Sequence, residues 1–112
     1  MIFFPSYRMM DKCTTTWEKF KIMVPKTLNK KLLVEPKDSS KYPVTIDRFY
    51  KSIFGKDSKG GVLMGVCRGK ISEGLDFSDA AARAVIIIGV PYPMLVDPRT
   101  VLKQEYLNAK SR

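Results

Sequence analysis

The chain has 112 residues, with 20 Lys+Arg against 11 Asp+Glu, two Cys, no His and 45% hydrophobic residues. That length suits one domain or a piece of a larger one, its hydrophobic fraction excludes a disordered polar chain, and no run approaches the ~18 apolar residues of a membrane span. Two Cys without His exclude zinc and iron–sulfur centres made within this chain, and every His-containing triad with them.

Ile2-Phe3-Phe4, stopped by Pro5, reads as a short buried parallel strand. Residues 1–5 are too short for a signal-peptide core and carry no basic segment before it. A domain that opens inside a core strand points to a truncated start. Ser6 fits an N-cap, and Met9, Met10, Cys13, Trp17 and Phe20 recur at helical spacing. Thr14-Thr15-Thr16 is poor helix material, so packing has to support this helix, and Pro25 blocks its continuation. Lys31-Leu32-Leu33-Val34 predicts a second strand, ended by Pro36. A polar loop follows through Asp38, Ser39, Ser40 and Pro43. From Val44, an amphipathic helix turns Ile46, Phe49, Tyr50, Ile53 and Phe54 inward and stops at Gly55.

Val62 to Val66 predicts the third strand, and Cys67 to Asp76 a mixed polar loop. Ala84 to Val90, with its β-branched run, is the strongest strand signal and suits a strand covered on both faces. Pro91 and Pro93 define a rigid loop. Asp97-Pro98 resembles an N-cap followed by Pro at the first helical position, opening a last helix with Val101, Leu102, Tyr106 and Leu107 inward. The alternation of strands and helices predicts an α/β layered fold with a mainly parallel sheet. In such folds ligands bind beyond the carboxyl ends of strands, which here means Pro5–Tyr7, Cys67–Phe77 and Pro91–Asp97.

Two phosphate-binding loops fail on the residues. A P-loop needs four residues between its glycines and Ser or Thr after the lysine. Gly65 and Gly69 have three between them, and Ile71 follows Lys70. A cysteine phosphatase loop built on Cys67 would meet Glu73 where a phosphate-cradling arginine belongs, and no His is present as base. Cys67 reads more simply as a small residue packing at a strand end, and without a secretory signal a Cys13–Cys67 disulfide is not expected. The charge is uneven: residues 1–60 carry 13 basic and 6 acidic side chains, with Lys12, Lys19, Lys21, Lys26, Lys30 and Lys31 in one stretch. A solvated lysine face explains this plainly, and contact with nucleic-acid phosphates is the sharper reading. Lysines without interleaved aromatics suit backbone contact better than base readout.

Val66-Cys67-Arg68-Gly69-Lys70-Ile71-Ser72-Glu73-Gly74-Leu75-Asp76-Phe77 resembles motif V of the XPD-like helicases of superfamily 2. Phe3-Phe4-Pro5-Ser6-Tyr7, with Met10 and Trp17, resembles their motif IV. Arg83 to Ile86, Gly89 to Pro93 and Asp97-Pro98-Arg99 through Leu107 also fit, so the likeness covers essentially the whole chain. Within the group it is nearest to the telomere-elongation-regulator and Fanconi anaemia group J branches.

The resemblance implies a RecA-like (P-loop NTPase type) fold, with residues 1–112 forming part of the second lobe of a nuclear, ATP-dependent 5′ to 3′ DNA helicase in genome maintenance. Motifs IV and V are present, and motif VI is not. The enzyme it implies uses ATP and Mg²⁺ and carries a [4Fe–4S] cluster whose ligands are not in this chain. Its partners would be single-stranded DNA and the other RecA-like lobe, with no membrane. Without Walker A, Walker B and motif VI, this chain alone is predicted neither to hydrolyse ATP nor to unwind DNA. An alternative is a stand-alone nucleic-acid-binding or regulatory module descended from such a lobe.

The resemblance also assigns roles. Glu73, Gly74 and Asp76 fall on the nucleotide side. Asp76 would accept from a ribose hydroxyl or hold a motif VI arginine, unless it is a local cap, and Gly74 would permit a close turn. Glu73 would pair with a basic group of the other lobe or, equally, with Arg68 or Lys70. Cys67, Arg68, Gly69 and Lys70 form the DNA side, where N–H groups near Gly69 and two cations would hold phosphates. Ser6 and Tyr7 add a phosphate contact, against the plainer reading of cap and core residue. Ser72 is expected to link the two halves of the loop, and Phe3, Phe4, Trp17 and Phe77 to be core.

Overall fold

Four apolar runs become the strands of one all-parallel sheet: β1 (Ile2–Phe4), β2 (Lys31–Val34), β3 (Gly61–Val66) and β4 (Ile86–Ile87), in the order β2-β3-β1-β4. The computed structural model describes residues 1–23, 25–74, 76–77, 79–93 and 95–111, and of Pro25 and Lys26 the backbone alone. Parallel neighbours need crossovers, and helices supply them. These are α1 (Tyr7–Lys19), α2 (Pro25–Leu28), α3 (Tyr42–Phe54), α4 (Lys70–Gly74) and α5 (Pro98–Lys110), with single 3₁₀ turns at Ser39–Lys41 and Asp79–Ala82.

Side chains two apart on a strand share a face, and this sorts the core into two clusters. Ile2, Phe4, Met64 and Val66 pack with Met10 of α1, joined by Cys13 and Trp17. Leu33 and Leu63 pack with Phe49 of α3 and Ile71 of α4, joined by Phe3, Tyr42, Ile46 and Phe77. β3 has a neighbour on each side and a cluster on each face, which is why Leu63, Met64, Gly65 and Val66 are all buried.

Local signals hold best. The Ser6 hydroxyl oxygen accepts from the Met9 N–H at 3.2 Å, and an Asp97 oxygen accepts from the Arg99 N–H at 3.0 Å, so both predicted caps form. The threonine run is tolerated because Thr14 and Thr16 donate back to the Met10 and Lys12 carbonyls at 3.0 and 2.8 Å. Both cysteines are free.

Several expectations need correction. Met9 and Phe20 are exposed: α1 ends at Lys19, and Pro25 opens α2 rather than stopping α1. Pro43 lies in the first turn of α3, where its missing N–H costs nothing, rather than in a loop. Phe54 is exposed at the end of the same helix. The predicted Cys67–Asp76 loop contains α4. From the 84–90 run only Ile86 and Ile87 form strand, and both are exposed, because β4 is the outermost strand beside β1. Val101, Leu102, Tyr106 and Leu107 are exposed as well, since no described residue covers α5.

Candidate nucleic-acid and nucleotide site

Neighbouring parallel strands deliver their exit segments side by side. Phe4 of β1 stands opposite Val66 of β3, so Pro5-Ser6-Tyr7 leaves the sheet next to Cys67. The Cys67 N–H donates to the Phe4 carbonyl at 2.8 Å, and the Gly69 N–H to the Val66 carbonyl at 2.9 Å. Between them Arg68 takes a left-handed conformation, φ 64°, which costs a non-glycine residue about 1 kcal/mol or more. The turn thereby presents the exposed side chains of Arg68 and Lys70 to solvent. Ser72 donates to the Gly69 carbonyl at 3.0 Å, tying α4 back to the turn.

The N–H groups of Cys67 and Gly69 are therefore engaged inside the protein. Among the described residues no acceptor takes the N–H groups of Arg68 or Lys70. An anion arriving here meets two flexible cations and those two N–H groups, not a ring of backbone donors.

A residue that the sequence reasoning did not assign to the site organises it from below. Glu35 follows the last residue of β2 and is 2% exposed. Its N–H donates to the Met64 carbonyl at 2.8 Å. Its carboxylate accepts from the Val66 N–H at 2.8 Å and, more weakly, from the Ile71 N–H at 3.4 Å. Gly65 of β3 and Gly69 of the turn both make room for it. A Cβ on Gly69 would stand 2.8 Å from one carboxylate oxygen and from the Val66 carbonyl, and one on Gly65 would stand 3.1 Å from the other oxygen. Tyr42 donates to the Lys70 carbonyl at 3.1 Å. Burial raises the pKa of the Tyr7 and Tyr42 hydroxyls, and the negative charge of Glu35 beside them raises both further. The sequence held a signal: Glu35 lies two positions after the buried Leu33, and so on the inward face of β2.

Glu73, Gly74 and Asp76, expected on the nucleotide side, are less constrained. Glu73 is exposed on α4 and pairs with neither Arg68 nor Lys70; the ion pairs among the described residues are Lys37–Asp11 and Lys51–Asp47, both exposed. Gly74 ends α4, and among the described residues a Cβ there would meet only the Tyr42 hydroxyl at 3.9 Å, so no close approach among them requires glycine. Leu75 lies outside the described residues. Asp76 is exposed just beyond it. Arg68 and Glu73 nevertheless open onto one cleft of about 670 Å³, whose far wall carries Asp97, Arg99 and Lys103 from the start of α5. The two sides of the motif thus share a cleft.

A second cleft, of about 530 Å³, lies at the opposite, amino ends of β2 and β3 and is lined by Lys30, Lys31, Lys51 and Lys59. Part of the charge excess of residues 1–60 sits there, away from the loops. Among the described residues no group of three or more His, Cys, Asp or Glu could hold a metal, and no helix is long and apolar enough to cross a membrane.

Residues 1–112 match the family described as the helicase C-terminal domain. The chain is 46% identical over 109 residues to the regulator of telomere elongation helicase 1 homologs of Drosophila yakuba and Drosophila melanogaster. It is 47% identical over 107 residues to that of Drosophila persimilis. These matches cover 96–97% of this chain but only 10–11% of the relatives' own length.

Proposed function

The chain belongs to the helicase C-terminal domain family, and on that footing we propose that it supplies the second-lobe part of an ATP-dependent DNA helicase. Its substrate is single-stranded DNA, traversed 5′ to 3′, in nuclear genome maintenance. The observation that supports this best is the Cys67–Lys70 turn, tied to β1 through Phe4 and to β2 through Glu35, with Arg68 and Lys70 facing solvent. A rigid turn carrying two cations suits the phosphate backbone, which looks alike at every step along a strand. Ser6 and Tyr7 emerge beside it and extend the same track.

Glu73, Gly74 and Asp76 face the nucleotide side in this reading. The donor set fits only part of that task. Carboxylates can accept from a ribose hydroxyl or hold an arginine, but they repel phosphates, and a phosphate loop is absent from the sequence. Asp76 is therefore the acceptor at this edge of the nucleotide, and the phosphate groups belong to the other lobe. When bound and hydrolysed, ATP supplies the free energy for closing and reopening the two lobes. A loop shared by the two ligands turns that closure into a shift of grip on the DNA.

Arg68→Ala in the full-length enzyme tests the DNA side. One lost phosphate contact should weaken single-strand binding several-fold and reduce the slope of log affinity against log salt by about 0.7. An unchanged slope would place the DNA elsewhere.

A further inference from the structure

We propose that Glu35 is the positioning residue of the phosphate-gripping turn, its buried carboxylate setting where Arg68 and Lys70 stand relative to Ser6 and Tyr7. The proposal rests on reading Cys67–Lys70 as the DNA contact and names what holds that contact in place.

β2 cannot extend its ladder with β3 by backbone alone. The Glu35 N–H makes the last regular bond, to the Met64 carbonyl, and Pro36 then takes the chain away. The next N–H of β3, that of Val66, would be left buried without an acceptor, and the Glu35 side chain accepts it instead. A carboxylate forms a shorter bond than a carbonyl and one roughly twice as strong, so the point where β3 ends and the turn begins is held firmly. On the other side of β3, the Phe4 carbonyl fixes Cys67. The turn therefore starts from two anchored N–H groups on opposite neighbours.

The far end is held by the same group. The second carboxylate oxygen faces the Ile71 N–H at the start of α4, while Tyr42 fixes the Lys70 carbonyl. A side chain at position 69 would collide with the carboxylate and the Val66 carbonyl, and one at position 65 would crowd the carboxylate by a few tenths of an ångström. The segment leaving β1 at Phe4 runs beside the same end of β3, since Phe4 stands opposite Val66, whose N–H the Glu35 carboxylate holds. Glu35 belongs to neither ion pair among the described residues, so it orients rather than neutralises.

The test uses Glu35→Gln in the full-length enzyme. Glutamine keeps the shape but turns an amide N–H₂ toward one of the two backbone donors. Loss of that bond should speed hydrogen exchange of the Val66 or Ile71 amide by about tenfold. The DNA concentration for half-maximal ATP turnover should rise about tenfold through the misplaced cations, with kcat at saturating DNA nearly unchanged. If Glu35→Gln does not fold, Glu35→Asp keeps the charge and withdraws it by one methylene, and the same two shifts are expected. Unchanged exchange at both amides overturns the positioning role whatever the DNA does. Faster exchange with an unchanged DNA requirement, in an enzyme where Arg68→Ala does weaken binding, reduces Glu35 to a stabilising residue and also overturns it. If Arg68→Ala leaves the salt slope untouched, the DNA reading itself fails, and the exchange result then stands apart.

Discussion

Phe4→Ala is expected to remove about 3–5 kcal/mol of stability, the range for deleting a fully buried phenylalanine and leaving its cavity. Phe4 has no exposed surface, stands in β1 between β3 and β4, and meets the Trp17 ring at 5.9 Å between centroids. It joins the sheet to α1, and its carbonyl anchors Cys67, so the cavity adjoins the strand end that holds the turn. Domains of this size hold only about 5–15 kcal/mol in total, so the variant should sit near its unfolding threshold at physiological temperature. Denaturant titration measures this. A loss below about 1 kcal/mol would mean that the β1–α1 cluster is not the principal core.

Asp76→Ala in the full-length enzyme is expected to lower ATP turnover by about a hundredfold, the scale of a misplaced catalytic partner, while single-strand affinity changes little. Asp76 is exposed, so its removal leaves no cavity and the fold should survive. That separates the two sides of the loop cleanly: Arg68→Ala acts on DNA affinity, and Asp76→Ala acts on turnover. Equal losses of both in either variant would indicate a collapsed loop instead of two roles. Turnover unchanged in Asp76→Ala would remove the residue from the nucleotide side.

What the sequence made legible was whatever local chemistry decides. Ser6 and Asp97 announce their caps because each cap forms within three residues, and the first three strand runs match β1, β2 and β3 to within a residue. The exposed faces of β4 and α5 were misread for a physical reason. An apolar stripe such as Val101, Leu102, Tyr106 and Leu107 states that a surface is to be covered, not what covers it. Charge counting failed in a similar way. Lys30, Lys31, Lys51 and Lys59 gather at the amino ends of the strands, remote from the Arg68 turn, so net charge hinted at a partner without placing it. Glu35 escaped because polar residues are read as outward by default, although its spacing from Leu33 placed it inside. The motif fixed the loop's residues, and only the three-dimensional arrangement revealed which N–H groups it had already engaged.

The central claim is that the turn between β3 and α4 grips the DNA backbone. A structure of the full-length enzyme bound to single-stranded DNA tests it most directly. Backbone phosphates should lie within about 3 Å of the Arg68 and Lys70 side-chain nitrogens, with the strand passing Ser6 and Tyr7. A strand seated instead in the cleft of Lys30, Lys31, Lys51 and Lys59, with the Cys67–Lys70 turn bare, would contradict it.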